Sequence, residues 1–167
     1  TPLVAFLDAD DVWLPQHLLL LVRTWRRRGG IVSPRAHVWD GERRLGDYHR
    51  SLGLRVPRRR QLERLFTANY VFSGSLFCRG DYERAGGMRA LRLSEDWDLW
   101  ARMAALGAPI SCVSTPTVLY RRHGANASDD AVGMHAVRAH IGADIARGLP
   151  TRSRRRCQLA LRRAEAL

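Results

Sequence analysis

A chain of 167 residues is long enough for one core of ordinary domain size. Its net charge of +12 comes from 28 basic residues, all of them Arg, set against 16 acidic ones. The longest aliphatic run, Leu18 to Val22, falls far short of the roughly 20 residues that cross a bilayer, which excludes an ordinary membrane-spanning helix.

The chain starts at Thr1 without a Met and enters an apolar run at once, so it reads as a piece of a longer protein. Leu3 to Leu7 carry no charge, which predicts a strand buried on both faces, as in a parallel sheet. The run stops at Asp8-Ala9-Asp10-Asp11. Pro15 then opens a helix predicted over 15–28, with Leu18, Leu19, Val22 and Trp25 on its apolar face and Gly29-Gly30 at its end. Residues 31–39 predict a strand that Pro34 marks as an edge or a bend. Asp40-Gly41 signals a turn returning through Leu45 to Tyr48, and 49–57 reads as an irregular loop.

From Arg58 a short helix carries Leu62, Leu65 and Phe66 on one side. Residues 71–77 form a predicted strand whose small central residues, Ser73-Gly74-Ser75, suit a close backbone approach or tight packing. A turn of helix over 81–85 closes at Gly86-Gly87. Ser94 is the expected N-cap of the next helix, with Glu95 and Asp96 in its first turn and Trp97, Trp100, Met103 and Ala104 as a buried stripe. Gly107 ends that helix. Two short strands, 110–113 and 117–120, flank Pro116, and 121–128 is a polar loop. Asp129 or Asp130 caps a helix to about 147, and Pro150 starts an Arg-rich helix holding Cys157, Leu159 and Leu161.

The chemistry concentrates at the acids. Ligands of open α/β sheets sit beyond the carboxyl ends of strands. Asp8, Asp10 and Asp11 delivered there repel one another unless a cation neutralises them, and oxygen ligands favour Mg²⁺ or Mn²⁺. The plainer reading is a helix first turn, for which one acid suffices. Glu95-Asp96 and His123 are the other two segments of unusual chemistry.

In order and setting, FLDADDVWLP, CRGDYERAGGMRALRLSED, SEDWDLWARM and YRRHGANAS resemble the DxD strand, the linking segment, the ED helix and the following loop of the family 2 glycosyltransferases. The resemblance covers about residues 3–128. It implies an α/β fold: the C-terminal portion of a GT-A (Rossmann-like) three-layer fold with a mixed sheet and a helical tail. Residues 1–128 would be a partial GT-A domain lacking its N-terminal nucleotide-binding region, and 129–167 a helical Arg-rich extension. It implies a nucleotide-sugar donor (UDP-, GDP- or dTDP-), Mn²⁺ or Mg²⁺, inverting transfer, and a saccharide, lipid-linked or protein acceptor, as in bacterial polysaccharide biosynthesis. By carry-over, Asp10 is the first metal ligand, with Asp8 at the ribose or metal and Asp11 assisting. His123 is a further metal or diphosphate contact, Arg121 or Arg122 lies near the phosphates, Asp96 is the base, and Glu95 binds the acceptor or orients the loop. Asp98, Trp97 and Trp100 are read as structural.

The Arg clumps at 26–28, 58–60 and 152–156 are solvated faces in most proteins of this charge. They leave open an alternative: a non-catalytic basic module on nucleic acid or an anionic membrane. Without aromatic interleaving or zinc-finger spacing, nucleic acid is the weaker of these. A phosphotransferase or hydrolase using the same carboxylates is a further alternative. Cys78, Cys112 and Cys157 are odd in number and widely spaced, which suits a reducing, cytoplasmic compartment. The charge of the Arg-rich tail adds the expectation of peripheral contact at the inner face of the plasma membrane.

Overall fold

The computed structural model describes residues 1–48, 56–124, 126 and 129–165. The chain folds as a mixed α/β structure whose sheet has six strands. In chain order these are β1 (Leu3–Ala5), β2 (Val12–Trp13), β3 (Ile31–Trp39), β4 (Arg44–Tyr48), β5 (Leu76–Cys78) and β6 (Ile110–Arg121). Across the sheet they run β1-β5-β3-β6-β2, with β4 also on β3. Only β3 and β6 pair parallel; the other pairings are antiparallel.

Alternation along the strands divides the core in two. Ile31 and Phe77 face one side, packed with Trp97, Trp100, Leu65 and Ile141. Their neighbours Val32 and Leu76 face the other, against Leu21 of helix α1 (His17–Arg28). The larger face carries α2 (Gln61–Thr67) and α4 (Glu95–Ala105), which bury Leu65, Trp97 and Trp100 there. It also carries α5 (Ala131–Gly148) and α6 (Thr151–Glu165), which add Ile141, Ile145, Cys157 and Ala160 to the same core, together with Leu149 between them. The two C-terminal helices are thus built into the body of the molecule. Residues 58–60 form a 3₁₀ turn before α2, and α3 (Arg79–Arg84) follows β5. Among the described residues no helix is long and apolar enough to cross a membrane, and all three cysteines are free thiols.

Several expectations are corrected. The apolar start is a three-residue, half-buried edge strand paired antiparallel with β5, not a doubly buried parallel strand. The apolar run exceeds the strand because Phe6 leaves the ladder to pack edge-on against Phe77 and Tyr82. Pro34 falls where the β3–β6 register shifts between Ser33 and Arg35, which agrees with the bend offered by the sequence, and its missing N–H is absorbed by that irregularity. Residues 110–121 form one strand rather than two, with Pro116 inside the same irregularity. On α1, His17 and Leu21 are buried while Leu18 and Leu19 are exposed; on α6, Leu159 is exposed and Ala160 buried. Residues 71–75, expected as strand, form the loop leading to β5. The predicted loop over 49–57 lies mostly outside the described residues.

Candidate functional site

The acidic stretch occupies the turn between β1 and β2, closed by the Asp11 N–H donating to the Asp8 carbonyl at 3.1 Å. The acids do not serve α1: its N-cap is Gln16 and its first turn holds no acidic residue. Instead the three side chains diverge. Asp8 accepts from the Ser73 hydroxyl at 2.6 Å. Asp10 Oδ2 lies 3.0 Å from His123 Nε2. Asp11 turns inward and accepts the Arg121 backbone N–H at 3.0 Å, with its Oδ2 buried and without a hydrogen-bond partner. Burial, opposed by the Arg121 N–H and reinforced by the charges of Asp8 and Asp10, pushes the Asp11 carboxyl up to about 7.

Asp8, Asp10, Glu95, Asp96, Arg122 and His123 all line one cavity of about 1000 Å³. They come from three separate segments. The turn after β1 supplies the aspartates, the start of α4 supplies Glu95-Asp96, and the chain just beyond β6 supplies Arg122 and His123.

Asp96 lines the cavity from the first turn of α4, and the backbone just before that helix takes an unusual course. Ser94 has φ 59° and ψ 26°, and among the described residues it is the only non-glycine with positive φ. Such a conformation costs an L-residue about 1–2 kcal/mol and is kept only where surrounding contacts enforce it. Contrary to expectation, the Ser94 side chain makes no capping bond; its Oγ lies 3.2 Å from the Met134 sulfur. Asp96 Oδ1 accepts the Trp97 N–H at 2.6 Å, and Asn69 Nδ2 donates to Oδ2 at 3.4 Å. Burial pushes the Asp96 carboxyl up to about 6, against the Trp97 N–H, and the charges of Glu95 and Asp8 push the same way.

Around this centre the structural residues are set apart. Asp98 is fully buried and accepts from Arg102 Nε at 2.8 Å and Nη2 at 2.6 Å. Arg102 also donates to the Ala85 and Gly87 carbonyls, so this pair ties α4 to the turn after α3. Trp97 and Trp100 are core residues, and Trp97 Nε1 donates to the Leu65 carbonyl at 2.8 Å.

Arg121 and Arg122 part company, as alternation at the end of a strand requires. Arg122 lines the cavity and pairs with Asp129 at 2.6 Å. Arg121 does not line it; its guanidinium lies against Gly41, where an added Cβ would come within 3.3 Å of Nη2. Of the two arginines expected near a phosphate, Arg122 is the one that lines the cavity. Among the cavity residues given no site role from the sequence are Ser73 and Asn69, which bond to Asp8 and Asp96. The signal for Ser73 was its place in a run of small residues; Asn69 carries none.

Asp10 and His123 converge, but among the described residues no three His, Cys, Asp or Glu side chains gather into a group that could hold a metal ion. Mg²⁺ is commonly held by one or two carboxylates completed by substrate phosphates. The donor set present fits that shared arrangement better than an all-protein cage.

Compared with known proteins, the chain matches no family model and no curated protein.

Proposed function

We propose that the chain is the C-terminal portion of a metal-dependent, inverting glycosyltransferase resembling family 2 enzymes of the GT-A type. It would transfer a sugar from a nucleotide-sugar donor to an acceptor hydroxyl. The observation that carries this reading is the convergence of Asp8, Asp10, Asp96 and His123, from three segments, on one cavity of about 1000 Å³. That volume suits a sugar and part of a nucleoside diphosphate.

In this reading the diphosphate sits toward Asp10, His123 and Arg122, and the acceptor toward Asp96 and Glu95. Asp10 and His123 would hold Mn²⁺ or Mg²⁺ together with the diphosphate, and the cation, when bound, stabilises the charge of the leaving group. Arg122 supplies positive charge on the same side. Asp96 takes the acceptor proton as the acceptor oxygen bonds to the anomeric carbon; the bond from that carbon to the phosphate oxygen breaks on the opposite face, and the electron pair leaves with the diphosphate. A carboxyl at about 6 suits this role: mostly ionised at pH 7, it is a stronger base than an ordinary aspartate. Ser73 and Asn69 orient Asp8 and Asp96.

The test is turnover of UDP-, GDP- and dTDP-sugars with Mn²⁺ or Mg²⁺, using the chain joined to its natural upstream sequence. Sugar transfer abolished by Asp10→Ala and by Asp96→Asn is expected. Transfer that survives both substitutions, or phosphate release without sugar transfer, overturns the proposal.

A further inference from the structure

Strand β6 serves two cavities. Beyond its C-terminal end lies the site described above; its N-terminal half, residues 110–115, walls a second cavity of about 980 Å³ that shares no lining residue with the first.

Three arginines from two elements line this second cavity: Arg27 and Arg28 from the last turn of α1, and Arg58 from the 3₁₀ turn. None of its described lining residues is Asp or Glu, and among the described residues none of the three arginines forms an ion pair. The carbonyls at the end of α1 offset part of the charge of Arg27 and Arg28. Arg58 Nη2 donates to the Gly107 carbonyl at 3.1 Å, and its remaining donors have no side-chain or backbone acceptor among the described residues. The wall also holds Ser111, whose Oγ is buried without a hydrogen-bond partner. Gln61 is already committed, giving Nε2 to the Ile110 carbonyl at 2.6 Å and accepting the Ile110 N–H at 2.9 Å.

A concave wall of guanidinium donors with a spare hydroxyl and no carboxylate is built for an anion rich in acceptor oxygens. Guanidinium forks match carboxylate and phosphate oxygens two at a time, but a carboxylate has two oxygens and one charge, whereas a phosphoryl group offers three terminal oxygens and more charge to three arginines at once. We propose that this cavity binds a phosphoryl-bearing small molecule or headgroup, independently of the acidic site.

The test measures pyrophosphate binding to the full chain by calorimetry and by chemical-shift titration. Saturable binding is expected, weakened about tenfold or more by Arg58→Gln and by Arg27→Gln. It should be little changed by Arg162→Gln with Arg163→Gln, exposed arginines elsewhere that remove as much charge or more. Ser111→Ala, which leaves the charge untouched, should weaken binding by a smaller factor, and melting curves confirm that each variant is folded. Vesicles of phosphatidylglycerol separate the two sources. Vesicle binding through Arg27 and Arg58 that pyrophosphate displaces assigns the cavity to a lipid headgroup; pyrophosphate binding alone assigns it to a soluble ligand. Absence of saturation, or equal loss in the α6 control, overturns the proposal.

Discussion

His123 Nε2 lies 3.0 Å from Asp10 Oδ2, joining residues 113 positions apart and fixing the end of the sheet's longest strand to the turn after its edge strand. Both side chains are more than a third exposed, so the pair adds little to stability. Asp10→Ala and His123→Ala should each lower stability by less than about 1 kcal/mol in denaturant melts. Each should lower sugar transfer by about a hundredfold or more. A large loss of stability would mark the pair as structural instead.

In the proposed transfer, Asp96 as base sets the acid limb of the reaction. Its carboxyl is pushed up to about 6 by burial, and a base works only when ionised, so activity should fall as pH drops through about 6. An ordinary aspartate would place that limb about two pH units lower. A pH–rate profile measures it, and Asn69→Ala, which removes a donor to the ionised form, should move the limb upward.

Asp11 imposes a pH-dependent cost on the fold. Its folded value of about 7 lies above that of an ordinary aspartate, about 4, so between roughly pH 4 and 7 the folded state binds the extra proton and stability falls as pH rises. Asp11→Asn keeps an acceptor for the Arg121 N–H and removes the charge. It should raise the melting temperature at pH 8 and change it little at pH 4.

The Asp98–Arg102 pair is buried on both sides, and removing one member strands the other. Asp98→Ala should destabilise by about 3–5 kcal/mol, while a double replacement by Leu and Met should recover most of that loss. Denaturant unfolding of the two variants makes the comparison.

Ser94 tests the strain before α4. Ser94→Gly removes the steric cost of φ 59° and should leave stability unchanged or higher, offset by the greater freedom of glycine in the unfolded chain. Ser94→Val should lose about 1–3 kcal/mol. Thermal melts at one pH decide it.

The bounds of β3 and the helix beginning at Glu95 were legible because each shows a clear period and clear stops. The phase of α1 was not. Leu18 to Val22 is apolar at every position, so no face stands out, and the buried face turned on His17, which pairs through Nδ1 with Thr117 Oγ1 at 3.0 Å. That histidine is neutral in the core, its value pushed down to about 4 by burial. The edge position of β1 was equally hidden, since strand order is set by partners far along the chain. At the site, the acids and His123 were legible by residue type. The divergence of Asp8, Asp10 and Asp11, and of Arg121 from Arg122, depends on local backbone direction. The left-handed Ser94 lies outside what residue type specifies, because serine rarely adopts it.

Among the described residues β1 has a strand partner on one side only, and its other side presents backbone donors and acceptors only three residues upstream of Asp8. A strand annealed along that margin, from the same polypeptide or another copy, would brace the root of the acidic turn and be felt at Asp10 without touching the cavity. Handled in isolation, the chain would carry the same margin as an adhesive seam, so oligomerisation and the tuning of the acidic turn would rise and fall together.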